Sequence, residues 1–197
     1  MWEVKKIKDI ALVTAGQSPE GKYYNENAVG LPFYQGKKEF TERYIGEPKV
    51  WTSFVTKEAI EGDVLMSVRA PVGPVNFATQ KCCIGRGLTS IRVKEKFDKD
   101  FLFLFFKNIE NKLTGNTGAV FNSINKAQIE NIEIPIPPLK EQQTIVAKLD
   151  QAFAAIDQAK ANIEKNIANA KELFQSKLNQ IFSEKGEGFI EEKLDNV

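Results

Sequence analysis

The side chains of this chain that could do chemistry are polar residues in loops rather than an assembled set of catalytic groups. There is no histidine among the 197 residues. That excludes imidazole-dependent triads and dyads and histidine-based metal sites. The two cysteines, Cys82 and Cys83, are adjacent, and no CxxC spacing exists. Neighbouring cysteines rarely bridge each other, so the pair implies neither a disulfide framework nor a zinc finger and reads as a strand with one thiol buried. The remaining candidates are Lys22, Tyr24 and Asn25, then Gln35, Lys37, Lys38 and Arg43, then Arg69, Lys81 and Arg86. Arg, Lys, Asn and Gln are the side chains that hydrogen-bond base edges, and Lys and Arg also neutralise phosphates. Each of these residues, taken singly, is more often an ordinary solvated surface residue than a contact.

The elements that must position them divide at a junction, Asn131 to Asp150, reading NIEIPIPPLKEQQTIVAKLD. A proline-rich segment there delivers the chain into a long helix. Residues 1–138 form a head, 139–183 a rod, and 184–197 a tail. With 42% hydrophobic residues, the chain can bury one core and carry an appendage. The head holds 19 Lys+Arg against 16 Asp+Glu, the remainder 8 against 10. This mild basic bias permits phosphate contact without demonstrating it.

Within the head, Trp2 to Val13 predicts a short strand or helix, and Glu20 to Gly30 an exposed loop. Leu31 to Gln35, Trp51 to Thr56, Gly62 to Arg69, Val75 to Thr79, Cys82 to Ile84 and Leu88 to Val93 predict strands, separated by Gly/Pro turns. Short strands spaced in this way indicate a mostly antiparallel sheet. Asp100 to Asn111 predicts a helix capped by Asp98 or Asp100, its Phe/Leu face turned to the core. Thr114 to Val120 predicts a Gly-rich loop, Ser123 to Glu130 a short helix with Ser123 as N-cap, and Ile132, Ile134 and Ile136 a last strand. The fold class is α+β: a mixed, mostly antiparallel β head followed by one long coiled-coil helix.

In the rod, steps of three and four link Val146, Leu149, Phe153, Ile156, Lys160, Ile163, Ile167, Ala170, Phe174, Lys177 and Ile181. Nine of these eleven are apolar. Over roughly 44 residues the rod would span about 65 Å. Such a stripe calls for another helix; folding back onto the head is the alternative. Lys160 and Lys177 in the seam would weaken a simple dimer and help set its register. Neither the N-terminus nor the six-residue run Phe101 to Phe106 is a secretory or membrane-spanning segment, so the chain is expected to be soluble, reduced and cytoplasmic.

Three stretches resemble the specificity (S) subunits of Type I restriction-modification enzymes: Glu61 to Gly73 (EGDVLMSVRAPVG), Cys83 to Ile91 (CIGRGLTSI), and Gly118 to Asp150 (GAVFNSINKAQIENIEIPIPPLKEQQTIVAKLD). Trp2 to Ala11 is also similar to the usual start of a recognition domain. The resemblance implies a non-catalytic subunit whose recognition domain reads a few base pairs of double-stranded DNA. It implies partners as well: methylation (M) subunits docked on the helices and near Pro135 to Gln143, and restriction (R) subunits. S-adenosylmethionine would be bound by M, with no cofactor in this chain. In that frame Lys22, Gln35, Lys37, Lys38, Arg43, Arg69 and Lys81 are the expected DNA contacts, with Gln35, Lys37 and Arg69 foremost. Arg86, in the family-like GRG segment, would serve the fold.

The resemblance also exposes a departure. Such subunits usually carry two recognition domains and two long helices, and here there is one of each, followed by Phe189 to Val197, which echoes Trp2 to Ala11. Two copies pairing antiparallel through Leu149, Phe153, Ile156, Ile163, Ile167, Phe174 and Ile181 would restore the pseudo-symmetric whole and read a palindromic, two-part target. The alternatives are an inactive fragment of a full-length subunit, a coiled-coil scaffold that binds only protein, or the recognition domain of a fused enzyme. The Pro-Pro at Ile136 to Leu139 has no preceding Asn or Asp and no following aromatic, so the chain lacks an amino-methyltransferase motif. It also lacks a phosphate-binding loop: Gly118 to Ser123 has no lysine, and Gly85-Arg86-Gly87 is too short for a dinucleotide fingerprint.

Overall fold

The computed structural model describes residues 2–113 and 123–183. The Gly-rich stretch expected at Thr114 to Val120, the Gly118 to Ser123 motif except its last residue, and the tail that echoes the N-terminus lie outside the described residues. The chain divides into two compact units, residues 1–147 and residues 148–197.

The first unit opens with β1 (Glu3–Lys6), α1 (Ile7–Ile10) and β2 (Ala11–Ala15), then β3 (Tyr24–Asn25) and β4 (Leu31–Tyr34). It continues through β5 (Trp51–Thr52), β6 (Glu58–Ala59), β7 (Val64–Ser67), β8 (Val75–Phe77), β9 (Cys82–Ile84) and β10 (Leu88–Val93). Last come α2 (Lys99–Leu113), α3 (Lys126–Glu130), β11 (Glu133–Ile136) and α4 (Leu139–Ser183), which runs on into the second unit. Single-turn 3-10 segments lie at Gly21–Tyr23 and Lys37–Glu39.

The strands form sheets of order β1-β11, β2-β10-β7-β8 and β3-β5-β4-β9-β6. Every pairing is antiparallel except β4 with β9. The expected mostly antiparallel β head and long helix are thus present. The strands are shorter than the apolar runs suggest: Trp51 to Thr56, for example, contributes only two paired residues, because the Thr52 hydroxyl turns the chain by accepting from the Phe54 N–H at 3.2 Å.

Period-2 alternation places the four-stranded sheet between two cores. Val64, Met66 and Ile91 face a large cluster with Phe101, Phe103, Phe106, Ile129 and Ile134. Leu65 and Leu88 face a second cluster with Tyr34, Ala59, Cys82 and Ile84. The expectation for the cysteines is corrected: both thiols are buried, on β9, which lies between β4 and β6. Burial, with Cys83 and Asp63 nearby, pushes the Cys82 thiol up to about 12, which leaves it protonated and inert at neutral pH.

The helix α2 starts as its sequence predicts. Asp98 Oδ1 accepts from the backbone N–H groups of Asp100 (2.9 Å) and Phe101 (3.0 Å). Its face buries Phe101, Leu102, Phe103 and Phe106, each contributing on the order of 2 kcal/mol, and Phe103 stacks on Phe77 of β8 with centroids 4.7 Å apart. For α3 the cap differs from expectation. Asn125 caps it, with Gln128 completing a reciprocal box at 3.0 and 2.9 Å, while Ser123 forms a bridge with Arg69.

A buried carboxylate pins the strand register. Asp63, 1% exposed, enters β7 and accepts two hydrogen bonds from Arg92 (2.7 and 2.9 Å), one from Ser90 Oγ (2.7 Å) and one from the Ile60 backbone N–H (3.0 Å). These bonds tie β7 to β10 and raise the Arg92 pKa further. The first turns of α4 are tied down similarly. Buried Gln142 accepts from the Asp98 N–H (2.9 Å) and donates to the Pro137 carbonyl (2.8 Å), while Ile145 and Val146 pack on the larger core. Val146, the first residue of the expected rod seam, therefore belongs to the head's core.

In the second unit, every residue of α4 from Gln151 to Ser183 is exposed except half-buried Leu178. The apolar stripe Leu149, Phe153, Ile156, Ile163, Ile167, Phe174 and Ile181 is 38–66% exposed. No helix among the described residues is long and apolar enough to cross a membrane.

Asp63→Ala removes the acceptor for four donors and leaves buried ones unpaired. It is expected to cost about 2–4 kcal/mol, read as a lower urea midpoint at unchanged slope; an unchanged midpoint would show that the cluster does not hold the sheet.

Candidate nucleic-acid interface

Gln35 follows β4 and Arg69 follows β7, strands of two different sheets. A single glycine joins their ends. The Gly87 N–H donates to the Gln35 carbonyl (3.0 Å), and the Gly87 carbonyl accepts from the Val68 N–H (3.0 Å). Gly85 donates to the Tyr34 carbonyl at 2.8 Å. The backbones pack so closely that a Cβ on Gly87 would overlap the Gln35 carbonyl oxygen. Gly85 and Gly87 thus serve the fold by approaching the backbone where no side chain fits, while the Arg86 side chain between them is exposed.

The joined ends border a cleft of about 500 Å³, lined among others by Gln35, Lys38, Arg69, Lys49, Ser67 and Gly87. Tyr24 and Phe33 stack at one side, centroids 4.8 Å apart. Lys38, Lys49 and Arg69 bring three positive charges against one carboxylate, Glu39. Among the described residues, none of those three cations forms an ion pair. Donors free to turn outward in a positive recess suit phosphate oxygens and base edges.

A larger cleft of about 750 Å³ lies beside β1, the end of β10 and β11. Its lysines, Lys5, Lys6, Lys94 and Lys96, are balanced by Glu3, Asp9, Glu95 and Glu133. Lys94 is spent on the carbonyls of Lys8 (2.8 Å) and Asp9 (3.3 Å). It offers no field for an anion.

Of the residues expected to touch DNA, Gln35, Lys38 and Arg69 share the first cleft. Lys37 is exposed in the adjoining 3-10 turn. The other three are engaged elsewhere. Lys22 pairs with Glu20 at 2.7 Å and lies over the Tyr23 ring. Lys81 pairs with Glu58 at 3.0 Å. Arg43 is half-buried, bonded to Asp100 at 2.8 Å and stacked over Phe77 and Phe103, where it fastens α2 to β8. Lys49 and Ser67 were not singled out from the sequence. Lys49 reaches the cleft because the Phe33 N–H donates to the Val50 carbonyl (2.8 Å), a long-range pairing with no local signal. Among the described residues no group of side chains could hold a metal ion.

Comparison with known proteins places this architecture. The chain belongs to the family of the Type I restriction modification DNA specificity domain, which it matches over residues 1–169. It is 41% identical over 174 residues to a Methanocaldococcus jannaschii protein provisionally named the MjaX type I restriction enzyme specificity subunit, covering 86% of this chain and 40% of that protein. It is 36% identical over 87 residues to the Escherichia coli EcoKI specificity subunit, covering 43% of this chain and 19% of that protein. Among solved structures, it is similar to the HsdS subunit from Thermoanaerobacter tengcongensis, at TM-score 0.72 and 39% identity over 80% of this chain and 39% of that one. It also matches a chain from work on complex assembly and conformational transition of the type I R-M system, at TM-score 0.83 and 39% identity, covering 92% of this chain and 45% of that one. The chain therefore spans less than half the length of these relatives.

Gly87→Ala should force the two strand ends apart at a cost of about 1–3 kcal/mol, measured by chemical denaturation. Gly21→Ala, where an added Cβ meets nothing within 4 Å, is the control and should stay within about 0.5 kcal/mol of the parent. Equal behaviour of the two would remove the close approach as the constraint.

Proposed function

We propose that this chain is a DNA sequence-specificity subunit of a Type I restriction-modification system. Residues 1–138 act as a target recognition domain that binds one half of a bipartite duplex target, and the helix 139–183 is its dimerisation and spacer element. The observation that carries the reading is the convergence of Gln35 and Lys38, from one segment of a family-typical sequence, and Arg69, from another, on one basic cleft. The chain itself is not catalytic. It directs M subunits, which bind S-adenosylmethionine and methylate adenine, and R subunits to the site.

Homodimerisation rests on the exposed stripe. Phe153, Ile156, Ile163, Ile167, Phe174 and Ile181 are each about half or more exposed in a single copy. Burying a side chain of this kind is worth about 1.5–3 kcal/mol. A second copy laid antiparallel covers all of them by symmetry and sets two readers on one duplex, with an unread spacer between their half-sites.

The adenine methylation map of cells carrying M, with and without this chain, tests the function. A new palindromic bipartite motif is expected; no new motif would sink the proposal. Replacing Lys37, Lys38 and Arg69 with Ala should weaken DNA binding of the assembled complex and flatten its salt dependence, each lost phosphate contact lowering the slope by about 0.9. Unchanged affinity across salt concentrations would reject this surface. Ile163→Asp with Ile167→Asp should yield a monomer in light scattering, and a surviving dimer would disprove pairing through the helix.

A further inference from the structure

Resting on the reading that the cleft meets DNA, we propose a division of labour within it. Gln35 and Arg69 read base edges, whereas Lys38 and Lys49 hold the phosphate backbone without reading sequence.

The firmness with which each Cα is held separates the two roles. Base readout needs a planar fork placed within about half an ångström, so its carrier must be rigid up to the side chain. Gln35 meets that requirement. Its carbonyl is held by Gly87 at 3.0 Å and the preceding carbonyl by Gly85 at 2.8 Å. Its Cα stands 3.0 Å from where a Cβ on Gly85 would lie. Yet its side chain is exposed and has no hydrogen-bond partner among the described residues.

Arg69 is held comparably. The flanking Val68 donates to Gly87 and accepts from Ile124, both at 3.0 Å. Arg69 itself bridges to Ser123 and accepts from Ser67 Oγ at 3.2 Å. Its guanidinium is exposed and unpaired among the described residues.

The two lysines, also exposed and without an ion pair among the described residues, differ in the backbone that carries them and in the shape of the charged end. Lys38 sits in a one-turn 3-10 segment and Lys49 in a stretch without regular structure. An ammonium on a four-carbon stem is a mobile point charge, suited to phosphate and poor at discriminating bases. The forks carry distinct preferences: an amide matches adenine N6 and N7, a guanidinium guanine O6 and N7.

Gly36 supports the placement of the reading face. Its backbone is extended and a Cβ there would meet no protein atom. The protein's own packing leaves that space beside Gln35 open, and glycine is the residue that lets another backbone come close.

The test uses the full chain assembled with its M subunit. The wild-type target is first mapped by adenine methylation. Binding is then measured to that duplex and to duplexes carrying each single-base change, for variants whose melting temperature matches the parent. Gln35→Ala should lower discrimination at one base pair of each recognised half by about 5- to 150-fold. Arg69→Lys, which keeps the charge but loses the fork, should do so at a different base pair. Lys49→Ala should weaken every duplex equally and reduce the salt slope by about 0.9. The division is overturned if Gln35→Ala and Arg69→Lys leave all discrimination ratios unchanged, or if Lys49→Ala alters one. A wild-type complex that methylates no new motif would instead overturn the proposed function itself, and this inference with it.

Discussion

The candidate interface depends on one backbone contact: Gly87 standing between the Gln35 carbonyl and the Val68 N–H. Through it the ends of β4 and β7, which belong to different sheets, become neighbours. Hydrogen bonds of this kind are individually worth only about 1 kcal/mol. Their value here is geometric, because they are made at a separation no side chain would permit. Gly16 extends the same close packing, donating to the Leu88 carbonyl at 2.9 Å. The Gln35 and Arg69 side chains that leave this hub have no hydrogen-bond partner among the described residues, while the backbone carbonyls beneath them are bonded.

Around the hub, polar groups buried in the core set register and apolar groups supply the driving force. Asp63 is the clearest case. A one-residue slip of β7 against β10 would turn Val64 and Met66 away from the α2 phenylalanines, and it would also break the four bonds converging on that carboxylate. Gln142 plays the parallel part for α4, joining the α2 cap residue Asp98 to Pro137. The long helix is thereby anchored by a buried amide, while the stripe beyond Ala147 is left for a partner helix in the proposed assembly.

Much of the architecture was legible in the chain because its signals are local. Asp98 ahead of an apolar run, Pro138 ahead of a heptad pattern, and Cys82 to Ile84 between turns each correspond to an element found there. Other features escaped because they are decided at long range. Ser123 looks like a cap, but the residue that closes the reciprocal box with Gln128 is Asn125. Val146 fits the heptad, yet the core claims it. Arg43 has the chemistry of a DNA contact, yet Asp100, 57 positions away, takes it into an ion pair.

The sequence by itself determined the α+β class, the start of the long helix after Pro138, the family, and which residue types were available for contact. These follow from periodicity, caps and motif, which neighbouring residues encode. Only the tertiary structure decided which candidates share a cleft. Gln35, Lys38 and Arg69 meet, joined by Lys49, while Lys22, Lys81 and Arg43 are drawn to carboxylates elsewhere. The physical reason is that the Lys81 and Arg43 ion pairs and the shared cleft depend on which segments lie side by side, and packing between distant segments leaves no mark in either segment alone.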